Sequence, residues 1–235
     1  VANYAGVATG NDANNSIIVR GNSPLGVLWR LEGVDIPNPN HFSTQGATGG
    51  PVSILNNNIL GASDFLTGAF PSEYGNKYAA VFDLKIRNGN NEKREYMGQI
   101  GFNGLEFGAE GPLFGKSGSS FLVSYRYSTL ELFSALGISF GVAAIPHYQD
   151  LCFKLNMPTA KAGVFSVWGI SGYSNISLLD SEKDTADWSF TGAGEDLVFT
   201  SAMGATGLSH VYFFNENLSG KFSLSASGSK FKIDI

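Results

Sequence analysis

The stretch TGAFPSEYGNKYAAVFDLKIRNG, from Thr67 to Gly89, separates two parts of the sequence that have different patterns. The part before it is rich in Gly and Asn and contains only short β-like runs. In the part after it, apolar and polar residues alternate over long segments, which is typical of β-strands with two different faces. The sequence therefore predicts a small N-terminal domain, residues 1–90, followed by a sheet of long strands, residues 91–235.

The composition favours an all-β protein. Charged residues make up 15% of the 235 residues, below the roughly 25% of a typical soluble domain, while there are 30 Gly and 13% aromatic residues. Such a profile fits tight turns, or an outer-membrane barrel in which alternation dilutes the apolar residues. No run of 18 apolar residues occurs, so no transmembrane helix is expected. The net charge of −5 argues against nucleic acid as a partner.

Four short strands and one helix are predicted in the N-terminal domain. The strands are expected at Ser16–Arg20, Val27–Leu31, Ala62–Leu66 and Ala79–Arg87. The residues before Asn15 and the segment from Pro37 to Gly50 are predicted to be loops. Pro51 suits the first position of a short helix that reaches Ile59.

Seven alternating strands are predicted after Glu95. From the third strand on, their connections alternate in length, with long ones at Leu130–His147 and Asn175–Asp196. Short turns at one end and long loops at the other are typical of outer-membrane barrels. The first long loop begins with STLE at 128–131, which matches a capping box, so a short helix and a coil are both open there.

Four short motifs precede the alternating strands in a fixed order. They are IVRG at 18–21, LEGVD at 31–35, DFLTG at 64–68 and PSEYGN at 71–76. With these motifs, the N-terminal domain resembles the plug of TonB-dependent outer-membrane receptors and transporters, and the later strands resemble the start of their barrel. The resemblance covers the whole chain. It implies an all-β dominated fold, with a small α+β plug domain followed by part of a transmembrane antiparallel β-barrel.

The resemblance also suggests which residues have a role. In the family, an arginine that matches Arg20 pairs with glutamates on the barrel wall. The candidates for contacts between plug and barrel are Arg20, Glu32, Glu73 and Arg87. The ligand-side candidates lie in the loop Pro37–Gly50 and in the second long loop, and they are Asn38, Asn40, His41, Phe42 and Trp188.

Partners and location follow from the same resemblance. Barrels of this family have about 22 strands, so seven strands would leave two edges that cannot face lipid. We therefore expect the chain to be a fragment whose partners are the remainder of its own barrel, membrane lipid, an unknown small solute, and TonB through a segment outside this chain. The expected location is the outer membrane of a Gram-negative bacterium. Siderophore, cobalamin, oligosaccharide and peptide cargoes are all open.

No catalytic constellation, cofactor motif or metal site is predicted. His41, His147 and His210 are far apart in the sequence, and no spacing of a hydrolase, metalloprotease or phosphate-binding loop occurs. Cys152 is the single cysteine, which excludes a disulfide within the chain. Alternating acidic residues from Asp180 to Asp187 could offer oxygens to Ca²⁺. They lack the glycine of an EF-hand loop, so a solvated acidic loop is the preferred interpretation.

Three functional hypotheses follow. The first is an active transporter that binds a scarce or bulky solute outside the cell and imports it with energy supplied through TonB, without enzyme chemistry. The second is a barrel that does not transport and serves as a scaffold or subunit of a surface complex; a SusC-like nutrient importer with a lipoprotein partner is a further variant. The third, a soluble β-sandwich enzyme, requires the face formed by Phe121, Val123, Tyr125 and Tyr127 to be buried between two sheets.

Overall fold

The computed structural model describes residues 4–11, 15–43, 48–101, 104–113, 118–128, 146–179 and 196–235. Its strands form two parts, an N-terminal region that contains β1 to β8 and a seven-stranded sheet that contains β9 to β15. A connecting segment, residues 85–94, joins them. Among the described residues, no helix is long and apolar enough to cross a membrane.

The N-terminal region is built around a mixed four-stranded sheet. Its strands are β1 (Val7–Asn11), β2 (Ser16–Val19), β3 (Val27–Leu31), β4 (Val34–Asp35), β5 (Asn40–His41), β6 (Val52–Ser53), β7 (Asp64–Leu66) and β8 (Ala80–Leu84). In the central sheet the order is β4-β3-β8-β7, and β3 and β8 run parallel. Two further hairpins, β1–β2 and β5–β6, flank it.

Apolar side chains on β3 and β8 form the core of this region. Val27, Leu31, Ala80 and Val81 are each at most 2% exposed. Both strands are short and consist mostly of apolar residues, as expected for strands that are covered on both faces. On one face, Trp29 stacks on Phe82 with ring centroids 4.2 Å apart.

The C-terminal part is an antiparallel meander that resembles part of a barrel. Its strands are β9 (Glu95–Gly101), β10 (Gly104–Pro112), β11 (Ser120–Tyr127), β12 (His147–Thr159), β13 (Gly163–Leu179), β14 (Asp196–Asn215) and β15 (Leu218–Asp234). Each strand pairs with its neighbours in the sequence. The links at residues 160–162 and 216–217 are short and lie at one end of the sheet. The segments 128–146 and 180–195 leave from the other end.

The two faces of this sheet differ in chemistry because successive side chains of a strand point to opposite sides. The outer face carries exposed apolar residues, including Phe107, Tyr125, Leu151, Tyr173, Leu208, Phe222 and Leu224. On the inner face of β10 to β12 the residues are mostly polar or charged and buried, and the N-terminal region packs against them. The inner face of β13 and β14 instead contributes apolar residues such as Trp168, which is 1% exposed.

The predicted fold class is confirmed, since the described chain is almost entirely β and a small N-terminal unit precedes a large antiparallel sheet. All seven predicted strands of the sheet are present. Several local predictions are wrong. The predicted loop Pro37–Gly50 contains β5, and the first residues of the predicted loop Asn175–Asp196 belong to β13. The segment before Asn15 contains β1, because pairing with β2 satisfies its backbone hydrogen bonds. The possible helix after Ser128 lies outside the described residues.

The helix predicted from Pro51 is also wrong. Val52 and Ser53 form β6, and the backbone N–H of Ile54 donates to the carbonyl of Pro39. Beyond them, the Asn56 side chain accepts from the backbone N–H of Asn58. Asparagine side chains compete with helical hydrogen bonds in this way, so the Asn56–Asn58 run favours a turn over a helix.

Replacing Leu31 with Ala should destabilise the N-terminal region by about 2–5 kcal/mol, because Leu31 is completely buried and the substitution leaves a cavity. Leu25→Ala is the matched control, since Leu25 is 53% exposed, and it should change stability by less than about 0.5 kcal/mol. Urea unfolding followed by tryptophan fluorescence measures both values. Equal effects of the two substitutions would contradict the placement of Leu31 in the core.

Candidate functional site

The candidate site is the contact between the N-terminal region and the inner face of the sheet. Two rows of directly paired residues cross β10, β11 and β12 there. The first row is Glu106–Arg126–Asp150, and the second is Glu110–Leu122–Lys154. Cross-strand partners on one face are neighbours in space, so the sheet presents alternating charges to the N-terminal region. We call the first of these rows the charged row.

Lys154 connects the sheet to the hairpin between β3 and β4. Its ammonium lies 2.8 Å from Glu32 Oε1 and 2.6 Å from the carbonyl oxygen of Ile86. Glu32 Oε1 also accepts from the backbone N–H of Ile86 at 2.8 Å. Both charged side chains are nearly buried, 9% and 12% exposed. A buried ammonium needs such partners, because an unpaired charge in this position would be strongly destabilising.

The β3–β4 turn explains why Glu32 reaches Lys154. Glu32 and Gly33 both have positive φ, +55° and +85°. Positive φ at both central residues is the combination that tight two-residue hairpins require, and Gly33 supplies it without a Cβ. The turn places the Glu32 carboxylate at the end of the central sheet, directly beside β12.

Arg87 anchors the connecting segment to β10. Its guanidinium makes two hydrogen bonds of 2.7 Å to the two carboxylate oxygens of Glu110. The bond to Glu110 is also the main reason why the pKa of Arg87 is raised. Glu110 accepts in addition from the backbone N–H of Asn90. A bidentate pair fixes direction as well as distance, so the segment enters β9 in a defined orientation.

His41 and Arg126 meet at Asp150 from opposite sides. His41 Nε2 is 3.0 Å from Asp150 Oδ2, and Arg126 donates to the same oxygen from Nε at 2.9 Å and from a terminal nitrogen at 2.6 Å. Arg126 also donates to the carbonyl of Ser53 in β6. Two strands of the N-terminal region, β5 and β6, are thereby attached to one carboxylate of the sheet.

His41 is neutral in the folded protein. Burial lowers its pKa below the ordinary value of 6.5; the hydrogen bond and charge of Asp150 act in the opposite direction, and Arg126 lowers it further. Neutral imidazole that donates from Nε2 to Asp150 leaves Nδ1 as an acceptor. Nδ1 is buried and has no hydrogen-bond partner among the described residues, which agrees with this tautomer.

Glu106 receives the asparagine-rich turn of the N-terminal region. Its Oε1 accepts hydrogen bonds from the side-chain amides of Asn56 and Asn58, and from the hydroxyl of Ser124 on the neighbouring strand. Glu106 is 5% exposed. The three donors are all neutral, so this carboxylate is held by hydrogen bonds without an ion pair.

Two glycines allow the parts to approach each other. A Cβ on Gly172, next to Asp150 in the register, would lie 2.4 Å from a side-chain carbon of Ile54 and 3.0 Å from the His41 ring. A Cβ on Gly89 would lie 2.0 Å from the carbonyl oxygen of Phe121. Larger side chains at these positions would push the N-terminal region and the connecting segment away from the sheet.

The structure places the predicted contact residues in different surroundings. Glu32 and Arg87 touch the sheet, as described above. Glu73 pairs with Arg30 inside the N-terminal region at 3.3 Å. Arg20 is exposed, and its guanidinium lies close to Gly68. A plug–barrel role for Arg20 and Glu73 stays a prediction.

The predicted ligand-side residues fall on and beside β5. Asn38 and Asn40 are hydrogen-bonded to each other and to backbone carbonyls of the segment 48–49. His41 contacts Asp150, and the backbone N–H of Phe42 donates to the Ser174 hydroxyl. These residues thus lie at the contact with the sheet. Trp188 and the acidic residues from Asp180 to Asp187 lie outside the described residues.

Sequence reasoning missed the partners on the sheet, which are Glu106, Glu110, Arg126, Asp150 and Lys154. A signal for them was available. Each occupies the polar position of an alternating strand, and charged residues are uncommon in this chain. In the described part of the chain, no group of three or more His, Cys, Asp or Glu residues could hold a metal ion.

No protein-family model and no curated protein match the sequence. Among solved structures, the chain is similar to the ferric enterobactin receptor PfeA of Pseudomonas aeruginosa. A point mutant in complex with enterobactin gives a TM-score of 0.46 at 14% identity, and the receptor in complex with BCV-L6 gives 0.44 at 13%. The alignments cover 94% of this chain and 41% of the length of those receptors. The likeness is one of fold.

The buried His41 predicts a pH dependence. The unfolded chain binds a proton at this histidine at higher pH than the folded protein does, because the folded-state pKa is lowered. The free energy of unfolding should therefore fall as the pH drops below 6.5, until the folded-state pKa is passed. His41→Gln keeps a donor for Asp150 and does not titrate. Urea unfolding from about pH 8 to about pH 5 should show a steeper loss for the native protein than for this variant, and parallel curves would contradict a buried neutral His41.

Proposed function

We propose that this protein is an outer-membrane receptor and transporter whose N-terminal region is a plug inside a β-barrel, to which the seven-stranded sheet contributes. In this proposal the plug comprises residues 1–90 and the barrel part residues 91–235. The receptor binds a scarce or bulky solute outside the cell, and energy supplied through TonB shifts the plug to open a path. The observation that carries the proposal is the sheet with an apolar outer face and a charged inner face covered by a separate small region.

The height of the outer face supports a membrane environment. Tyr127 and Tyr173 mark the upper limit of this face, while Tyr212 and Phe214 lie at the lower one, with ring centroids 4.9 Å apart. Tyr173 pairs with Ala202 on β14, ten residues from Tyr212. At about 3.3 Å per residue and a tilt of about 40°, ten residues span about 25 Å along the membrane normal. An apolar band of this height between aromatic residues is typical of outer-membrane barrels.

The inner face supports a plug that is held but can be moved. Its contacts with the sheet at Glu32, His41, Asn56 and Arg87 are mostly polar, and they lie beside an apolar cluster to which the sheet contributes Leu122, Trp168 and Ile170. Buried ion pairs contribute modest net stability because desolvation offsets much of their attraction. Such contacts define one position for the plug on the sheet. They are compatible with release of the plug when water enters between plug and sheet.

The arrangement does not favour the soluble sandwich. Tyr125 and Tyr127 are 39% and 44% exposed, so the face that a sandwich enzyme would bury is not buried between two sheets. The protein that we propose carries out no bond chemistry. A scaffold without transport shares the same faces, and it differs from a transporter only in whether the plug responds to energy.

Cys152 offers a test of plug movement. It lies on the inner face of β12, 4% exposed beneath the N-terminal region. In cells that make the full-length protein, a membrane-impermeant maleimide should label Cys152 faster when the inner membrane is energised and TonB is present. Labelling should be slow after a protonophore is added or TonB is deleted, and Cys152→Ser provides the background. Equal labelling under all conditions would favour the scaffold.

The lipid-facing assignment has its own test. Leu224→Arg should destabilise the protein in lipid vesicles by about 2–4 kcal/mol, since it places a charge at the level of the hydrocarbon. Ser225→Arg is the matched control, because Ser225 is the next residue and points to the inner side, where β15 is exposed. Urea unfolding in vesicles measures both values. A small effect of Leu224→Arg would mean that this face is in water.

A further inference from the structure

A cavity lies at the Glu106 end of the charged row. It has a volume of about 480 Å³ and is enclosed between the asparagine-rich turn and strands β9 to β11. The side chains that matter here are those of Asn56, Asn57, Asn58, Gln99, Glu106 and Arg126. The cavity is close to the end of the sheet from which the segment 128–146 leaves, the extracellular end in the proposed receptor.

Glu106 lines this cavity, and one of its two carboxyl oxygens has no described hydrogen-bond partner. Its Oε1 accepts all three hydrogen bonds described above, and Oε2 accepts none from any described residue. Oε2 is also absent from the polar atoms that are enclosed without a partner, so it is reachable from the cavity. A carboxyl group that is 5% exposed and has an oxygen with open acceptor positions can accept a donor that enters the cavity, from water or from a ligand.

The charges around Glu106 do not balance. Arg126 lies between Glu106 and Asp150 in the register, but its hydrogen bonds go to Asp150 and to the Ser53 carbonyl. His41, which shares Asp150, is neutral. Among the described residues of this row, two carboxyl groups therefore share one guanidinium, and Glu106 has no cationic partner. The amides that line the remaining surface are neutral.

We propose that this cavity binds a positively charged hydrogen-bond donor group, an ammonium or guanidinium, of the transported solute. Glu106 Oε2 provides the charge and the acceptor, and the amide oxygens of Asn57 and Gln99, both exposed side chains, provide further acceptors. That the bound solute is transported rests on the proposed receptor function. The binding at this cavity does not. It assigns the cargo to basic solutes, such as peptides with free amines.

The test uses the purified full-length protein in detergent at low ionic strength, with trilysine as the probe and calorimetry as the measurement. Glu106→Gln keeps the oxygen that holds Asn56 and removes the charge. It should weaken trilysine binding about tenfold or more, the value of a charge-assisted hydrogen bond. Fully acetylated trilysine should bind weakly to the unchanged protein. Glu92→Gln, which removes the same charge from an exposed position outside the cavity, should leave affinity unchanged.

A second variant keeps the test decisive if Glu106→Gln does not fold. Asn57→Asp adds a negative charge at the exposed edge of the cavity and should tighten trilysine binding several-fold at low salt. Unchanged affinity in both variants, or equal binding of the acetylated probe, would overturn the proposal. The proposal would also be overturned if a neutral trisaccharide, maltotriose, bound more tightly than trilysine and its binding depended on Glu106. Glu106-dependent binding without energy-dependent Cys152 labelling would retain the site and reject transport.

Discussion

The seating of the N-terminal region depends on one carboxylate, Asp150. It accepts from Arg126 on its own sheet and from His41 on the opposing strand, and Arg126 continues to the Ser53 carbonyl. The neighbouring position in the register is Gly172, whose missing side chain leaves room for Ile54 and the His41 ring. Charge and space therefore act at the same place. The glycine permits close approach, and the carboxylate accepts hydrogen bonds from His41 of the approaching strand and from Arg126.

The polar contacts and the apolar contacts have different consequences. Val27 and Leu31 belong to an apolar core that also includes Leu122, Trp168 and Met203 of the sheet, and burial of this kind stabilises without fixing direction. Lys154 with Glu32, and Arg87 with Glu110, add little net stability after desolvation, but each is strongly unfavourable if one partner is left alone. The shared apolar core thus holds the N-terminal region against the sheet, and the polar pairs select one position for it there.

The fold was predictable to a greater extent than the site. Period-2 alternation identified all seven strands of the sheet, and β3 was predicted with its observed bounds, because an apolar strand between turn residues has few alternatives. The helix from Pro51 failed because the amides of Asn56 and Asn58 bond locally and to Glu106, a contact that is remote in sequence. Their polar positions on alternating strands marked Lys154 and Glu110 as facing inward, but the pairing of these two residues with Glu32 and Arg87 could not be predicted. Lys154 and Glu110 are distant in the chain, and only the register of β10 to β12 brings them to the N-terminal region.

The charge of the Glu106 cavity is tied to the position of the N-terminal region. His41 is neutral because it is buried, and it is buried because the region sits against Gly172 and Tyr148, whose ring lies 4.9 Å from the imidazole. Withdrawing the region would expose His41 to water and return its pKa toward the ordinary value. Asp150 would lose a donor, and Glu106 would lose its bonds to the turn at Asn56 and Asn58. The cavity therefore exists only while the N-terminal region contacts the sheet. A cation bound at Glu106 stabilises this arrangement by its binding free energy. Any process that unseats the region must work against that free energy, and it also releases the cation.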